Sequence, residues 1–172
     1  MTVNDPVQQV ETLVIGGGSA GLAVSHELNR HGINHVVLER GRIAQSWRDR
    51  WDSFCLVTPN WSVQLPDGAY DGSDQDGFMP RNEIVAFLER YASQSGLPIR
   101  EGVAVQSIQS SASSGFVAET SAGDVHARHV VVATGAYQRP HRPAGSESLP
   151  EDLLQIDLHG YRNPEASRPG MS

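Results

Sequence analysis

Cysteine is nearly absent: the 172 residues hold one, Cys55. No internal disulfide can form, so a reduced, cytoplasmic setting is expected, and Cys55 reads as a small buried apolar residue. Basic residues are in deficit, 13 Lys and Arg against 20 Asp and Glu, for a formal net charge of −7. A chain of that sign offers little to offset phosphate repulsion, which argues against a nucleic-acid partner. No apolar run approaches the roughly 18 residues of a membrane span. The opening MTVNDPVQQV lacks the basic and then apolar pattern of a secretory signal. The histidines show no metal-ligand spacing, and no pair of titratable residues has a spacing that demands an acid, a base or a nucleophile. Neither a metal site nor a catalytic residue is therefore expected from the spacing. Internal repeats and sustained low-complexity tracts are also missing. What remains is a chain long enough for one buried core.

Glycine, by contrast, is concentrated in LVIGGGSAGLAVSHEL, Leu13 to Leu28. The apolar run Glu11–Ile15 predicts a buried strand. Ser19 to His31 predicts a helix with Leu22, Ala23 and Leu28 on one face, stopped by Gly32. His35–Arg40 predicts a second strand, which completes a βαβ unit. Gly16, Gly18 and Gly21 form G-x-G-x-x-G directly after the strand and at the helix start. The first glycine permits the tight turn, the second lets backbone approach a pyrophosphate, and the third lets helix and strand pack closely. The helix N-terminus offers unpaired N–H groups and partial positive charge to phosphate. Glu39, at the end of the second strand, is placed to accept hydrogen bonds from ribose hydroxyls. Its charge would repel a 2′-phosphate, so FAD or NAD is expected rather than NADP. A glycine-rich turn without a ligand is the competing reading of the motif alone; the order strand, glycines, helix, strand, acid argues against it.

Residues 41–80 carry Trp, Pro, Gly and Asp without a sustained period, and LPDGAYDGSDQDGFMP predicts a long irregular loop. RNEIVAFLERYASQSG predicts a helix with Ile84, Phe87, Leu88, Tyr91 and Ala92 inward, ended by Gly96 and Pro98. IREGVAVQSIQ, GFVAETSAG and DVHARHVVVATG predict three strands, the last two hinged at Gly123. A simple NAD domain would continue with another βαβ unit; this hairpin-like run does not.

VIGGGSAGL, VVLERG, SWRDRWDS, LERYA and VVVATGAYQRP together resemble the flavin-containing monooxygenase-like oxidoreductases that use FAD and NAD(P)H. The resemblance runs from Thr12 to Arg168. It implies an α/β fold: a Rossmann-type FAD-binding domain of βαβ, helix, antiparallel meander and closing parallel strand. It further implies that Gly16, Gly18, Ser19, Ala20 and Gly21 hold the ADP part of FAD and that Glu39 takes the ribose. Gln45–Arg48 matches a stretch near the flavin, which implicates Trp47. Val105 matches a position whose backbone meets adenine. Ala133, Thr134 and Gly135 match the A-T-G turn that closes over the cofactor. Trp47 also reads as core, as do Trp51 and Trp61. His159, in LHGYRNP, is similar to a family histidine between the two nucleotide domains, though an ordinary surface histidine is an equal reading.

Two departures from the family pattern stand out. N-oxygenating members carry a Thr-Asn pair where this chain has Thr58, Pro59, Asn60. Family members also continue past YRNP into a second G-x-G-x-x-G for NADPH, whereas this sequence stops at Gly170-Met171-Ser172. The expected organisation is a flexible leader (1–10), an FAD-binding domain (11–140) and a linker (141–172) toward an NAD(P)H-binding domain that is absent. The expected function is the FAD-binding portion of a monooxygenase-like flavoprotein acting on a small organic substrate, truncated and inactive alone. A partner chain or self-association would cover its open face. A non-catalytic nucleotide-binding module and a two-dinucleotide reductase without oxygenation stay open as alternatives.

Overall fold

Gln8–Ile15 forms the first strand, β1, in a computed structural model that describes residues 8–111, 115–136 and 139–165. The strand begins three residues before the expected Glu11, because Gln8–Val10 pairs with residues 125–127. Part of the expected leader is therefore strand. Residues 1–7 and the end of the expected linker, 166–172, lie outside the described residues. After the glycine turn come helix α1 (Ser19–Arg30) and strand β2 (His35–Glu39), buried along its whole length. Gly32 lies in the left-handed region (φ +65°) directly after α1, the glycine stop its sequence predicts.

The region 41–80 is largely irregular. It holds a short helix α2 (Gln45–Arg48), a 3₁₀ turn over Asn60–Ser62 and a small hairpin of β3 (Gln64–Leu65) and β4 (Gly68–Ala69). Helix α3 (Arg81–Gln94) follows with Ile84, Phe87, Leu88, Tyr91 and Ala92 buried, as the spacing predicts. IREGVAVQSIQ is not one strand but two. Gly102 (φ +72°) breaks it into β5 (Ile99–Glu101) and β6 (Val105–Ser110), which lie at opposite edges of the sheet. β7 (Phe116–Thr120) and β8 (Val125–Val132) turn at Gly123 (φ +96°).

The six-stranded sheet runs β5-β2-β1-β8-β7-β6. β5, β2, β1 and β8 are mutually parallel, and β7 and β6 extend the sheet antiparallel. This is the α/β arrangement expected: βαβ, helix, antiparallel extension and a parallel strand closing against β1. Period-2 alternation sends neighbouring side chains to opposite faces. Leu13, Ile15, Val36 and Leu38 join Val103, Ala118, Val125 and Ala127 in one cluster. A second cluster joins Leu22 of α1 to the buried face of α3. Each fully buried aliphatic side chain contributes roughly 1.5–3 kcal/mol, so these two clusters hold the strand ends in place.

Two expectations fail. Cys55 is exposed. Leu56 N–H donates to the Met79 carbonyl in a short bridge, and the alternation of that extended segment turns Phe54 and Leu56 toward the core cluster and Cys55 outward. Trp61 is 58% exposed rather than core. Its neighbour Asn60 takes the inward place on the 3₁₀ turn, accepting from Met79 N–H (2.7 Å) and donating to the Asp74 carbonyl (2.9 Å). Trp51 is partly buried, edge-on to Phe54 at 4.9 Å.

Candidate functional site

The carboxyl ends of three parallel strands are level: Ile15 pairs with Leu38 on one side and with Val132 on the other. A cavity of about 770 Å³ opens beyond them. In open α/β sheets this is where ligands bind. Its floor is the glycine turn and the first turn of α1; its sides come from Glu39, Trp47, Val105 and Ala133–Gly135.

The three motif glycines do different work. Gly16 has φ +112°, and a Cβ there would lie 2.5 Å from the Ala133 carbonyl oxygen. Gly21 backs the same turn, where a Cβ would fall on the Gly16 carbonyl oxygen. These two let β1, α1 and the end of β8 close on one another. Gly18 is unlike them: its backbone is extended (φ −87°, ψ −177°) and a Cβ would meet nothing within 4 Å, because the residue faces the cavity. Packing does not require glycine at 18, and the residue is part of the cavity wall. No side chain caps α1, so its first-turn donors at Ser19 and Ala20 lie at the cavity wall with the positive end of the helix dipole.

Glu39 is buried beside this turn. Its carboxylate accepts from Gly17 N–H (2.7 Å) and from Gly41 N–H (2.8 Å). A carboxylate has about four acceptor sites, so both oxygens retain capacity toward hydroxyl donors in the cavity. Glu39 thus also ties the glycine turn to the chain just past β2, a structural role its position at the strand's end does not reveal. Ala133 N–H continues the β8 ladder to the Ile15 carbonyl (2.8 Å), and Gly135 (φ +78°) then turns the chain over the cavity.

Ten of the eleven residues singled out from the sequence line this one cavity: Gly16, Gly18, Ser19, Ala20, Glu39, Trp47, Val105, Ala133, Thr134 and Gly135. Gly21 lies behind the wall. Trp47 is both wall and packing, tilted against Phe54 at 5.8 Å. His159 is exposed and borders the cavity. Asn60 is not on the wall; it pins the loop ending at Met79.

Sequence reasoning missed Arg40, Asp49, Arg50 and Leu158, which line the cavity as well. Arg40 follows Glu39 directly, and Arg50 lies one helical turn after Trp47 with its guanidinium 5.7 Å from the Phe54 ring centre. The i, i+3 spacing from Trp47 was the available signal for Arg50. Arg48, between them, is used elsewhere: it donates to Glu89 of α3 and to the Ile43 carbonyl (3.1 Å). Among the described residues there is no group of three or more His, Cys, Asp or Glu able to hold a metal. Nor is any helix among them long and apolar enough to cross a membrane.

The donor and acceptor set suits a dinucleotide. There is an open approach at Gly18 for a pyrophosphate, a helix N-terminus for its charge and a carboxylate for ribose hydroxyls. The sequence model of the pyridine nucleotide-disulphide oxidoreductase family matches residues 13–157. The chain belongs to this family. It is 38% identical over 162 residues, 94% of its length, to an uncharacterized CzcO-like oxidoreductase of Geobacillus kaustophilus, covering 46% of that protein. It is 31% identical over 135 residues to the indole-3-pyruvate monooxygenase YUCCA1 of Oryza sativa subsp. japonica, covering 76% of this chain and 33% of that one. A flavin-containing monooxygenase from Stenotrophomonas maltophilia superposes with a TM-score of 0.72 at 26% identity, over 80% of this chain and 42% of the other. The resemblance to flavin-containing monooxygenase-like oxidoreductases is borne out, and so is the Rossmann-type fold. Monooxygenases are thus among the proteins it resembles. It spans about half the length of the curated oxidoreductases it matches first.

Proposed function

We propose that this chain is the FAD-binding part of a monooxygenase-like flavoprotein, with residues 11–140 as the cofactor domain and 141–172 as the link toward a nicotinamide-binding part. The observation that carries the reading is Gly18. It is a glycine that internal packing does not require, at the mouth of an uncapped helix, facing a cavity at the strand ends.

The residues present divide the binding work. N–H groups of the first turn of α1 meet the pyrophosphate, with Gly18 leaving room for its approach. Glu39 accepts from the ribose hydroxyls and disfavours a 2′-phosphate by like charge. Val105 offers backbone beside adenine. Trp47 and the Ala133–Gly135 turn flank the rest of the cofactor and limit the water that reaches it. FAD, when bound, supplies hydride acceptance from NADPH and activation of O₂ for insertion of one oxygen into a small organic substrate. No residue on the cavity wall is assigned as acid, base or nucleophile.

The test is reconstitution. The full chain is mixed with FAD, freed of excess, and its flavin content compared with that of Gly18→Val. Retention in the parent and loss in the variant, with equal circular dichroism, supports the assignment. Equal flavin content in the two removes its basis. Oxygenase and reductase chemistry are separated, in any form of the protein that turns over NADPH, by whether NADPH consumption is matched by oxygenated product.

A further inference from the structure

One part of the cavity wall comes from a stretch without helix or strand. Leu158 and His159 border the cavity, yet between the 3₁₀ turn at Ser146–Ser148 and residue 164 there is no helix or strand. His159 N–H donates locally to Asp157 Oδ1 (3.0 Å), and the segment that follows is bound to a site more than a hundred residues earlier in the chain. Arg162 Nη1 donates to the Asp49 carbonyl (2.7 Å), and Asp52 N–H donates to the Arg162 carbonyl (2.9 Å). Asn163 Nδ2 donates to Asp52 Oδ2 (2.9 Å), and the Tyr161 ring lies 6.5 Å from that of Trp51.

Asp52 is the shared node. Its other oxygen accepts from Arg81 Nη1 (3.2 Å), and the same nitrogen donates to the Arg50 carbonyl (2.8 Å). One carboxylate therefore joins three things: the 161–163 strap, helix α3, and the backbone that carries the cavity-lining Asp49 and Arg50. The Asn163 hydrogen bond is also the largest influence on this carboxyl, holding it below its ordinary range, with Arg81 next.

We propose that Asp52 is a positioning residue for the cofactor site: it latches the Tyr161–Asn163 strap so that Leu158 and His159 stay against the cavity and slow the escape of bound flavin. This rests on the cavity being the flavin site. Asp52 itself touches no ligand in this scheme; it acts through the strap.

The experiment uses the full chain loaded with FAD and follows flavin release on dilution, with thermal melting as a check on folding. Asp52→Ala and Asn163→Ala should each release flavin about 3–10-fold faster, the kinetic equivalent of one lost polar contact. The exchange Asp52→Asn with Asn163→Asp is decisive: the amide introduced at position 52 would keep its oxygen toward Arg81 and turn its nitrogen to the new carboxylate. The exchange should recover most of the lost retention, which a merely structural defect at position 52 would not do. Parent-like release from both single variants, or an exchange variant as leaky as Asp52→Ala, overturns the proposal. Should Asp52→Ala fail to fold, Asn163→Ala decides by itself: faster release supports the latch, and parent-like release removes it. A parent that takes up no flavin instead refutes the assignment of the cavity, and this inference with it.

Discussion

Replacing Gly18 by valine separates ligand space from fold more cleanly than any other change in the motif. A Cβ at Gly18 meets nothing within 4 Å and its backbone is extended, so no strain is introduced. The cost to the fold is that of a poorer helix cap, roughly 0.5–1 kcal/mol, or about 1–4 °C in melting temperature for a chain of this size. The cost to the cofactor is larger. The isopropyl group would stand between the α1 N-terminus and a pyrophosphate. Losing two N–H donors to a charged oxygen forfeits roughly 1.5–3 kcal/mol each, so about 3–6 kcal/mol, or roughly 10²–10⁴ in affinity. Flavin fluorescence titration gives the affinity and circular dichroism the melting. Gly21→Ala is the contrast: its methyl would fall on the Gly16 carbonyl, so fold and flavin should fail together. If Gly18→Val binds FAD within about threefold of the parent, the pyrophosphate is not at this turn and the reasoning is wrong.

Glu39→Ala should lower the melting temperature even without flavin, because it leaves the Gly17 and Gly41 N–H groups without their acceptor at about 1–3 kcal/mol each; an unchanged apo melting curve would contradict that role. Asn60→Ala should cost about 1–3 kcal/mol by orphaning the Met79 N–H, yet leave flavin affinity unchanged, since Asn60 is off the cavity wall; chemical denaturation with parallel flavin titration checks both halves. The Asp52 carboxyl is held low by Asn163 and then Arg81. Its contribution is therefore present above the ordinary value of 3.8 and is lost as pH falls through the lowered one. An NMR titration of that carboxyl should show a midpoint below 3.8 that rises toward it in Asn163→Ala.

The βαβ unit and α3 are legible in the sequence because periodicity and glycine punctuation are local signals. The strand, helix and strand of residues 8–39 and the buried face of α3 need only near neighbours. The candidate site is legible for the same reason: ten of its residues lie within short motifs that one topology brings to the same strand ends. What stays hidden depends on partners distant in the chain. β5 is three residues long and is a strand only because β2 offers an edge. Residue type alone points Cys55 and Trp61 inward, whereas bridge geometry and the competing Asn60 turn them out. The Asp52 latch spans 111 positions in sequence and has no periodicity to betray it. The sequence presents Glu39 as an acceptor toward a ligand, while its two bonds to the glycine turn and the chain just past β2 become visible only in three dimensions.

Equilibrium titration calorimetry of the full chain with FAD, NAD and NADP decides whether the cavity over Gly18 and Glu39 takes FAD. One flavin per chain should bind, more tightly than either nicotinamide nucleotide, with NADP the weakest of the three because its 2′-phosphate would meet Glu39. Binding of NADP in preference to FAD, or no saturable flavin binding by a folded chain, would contradict it.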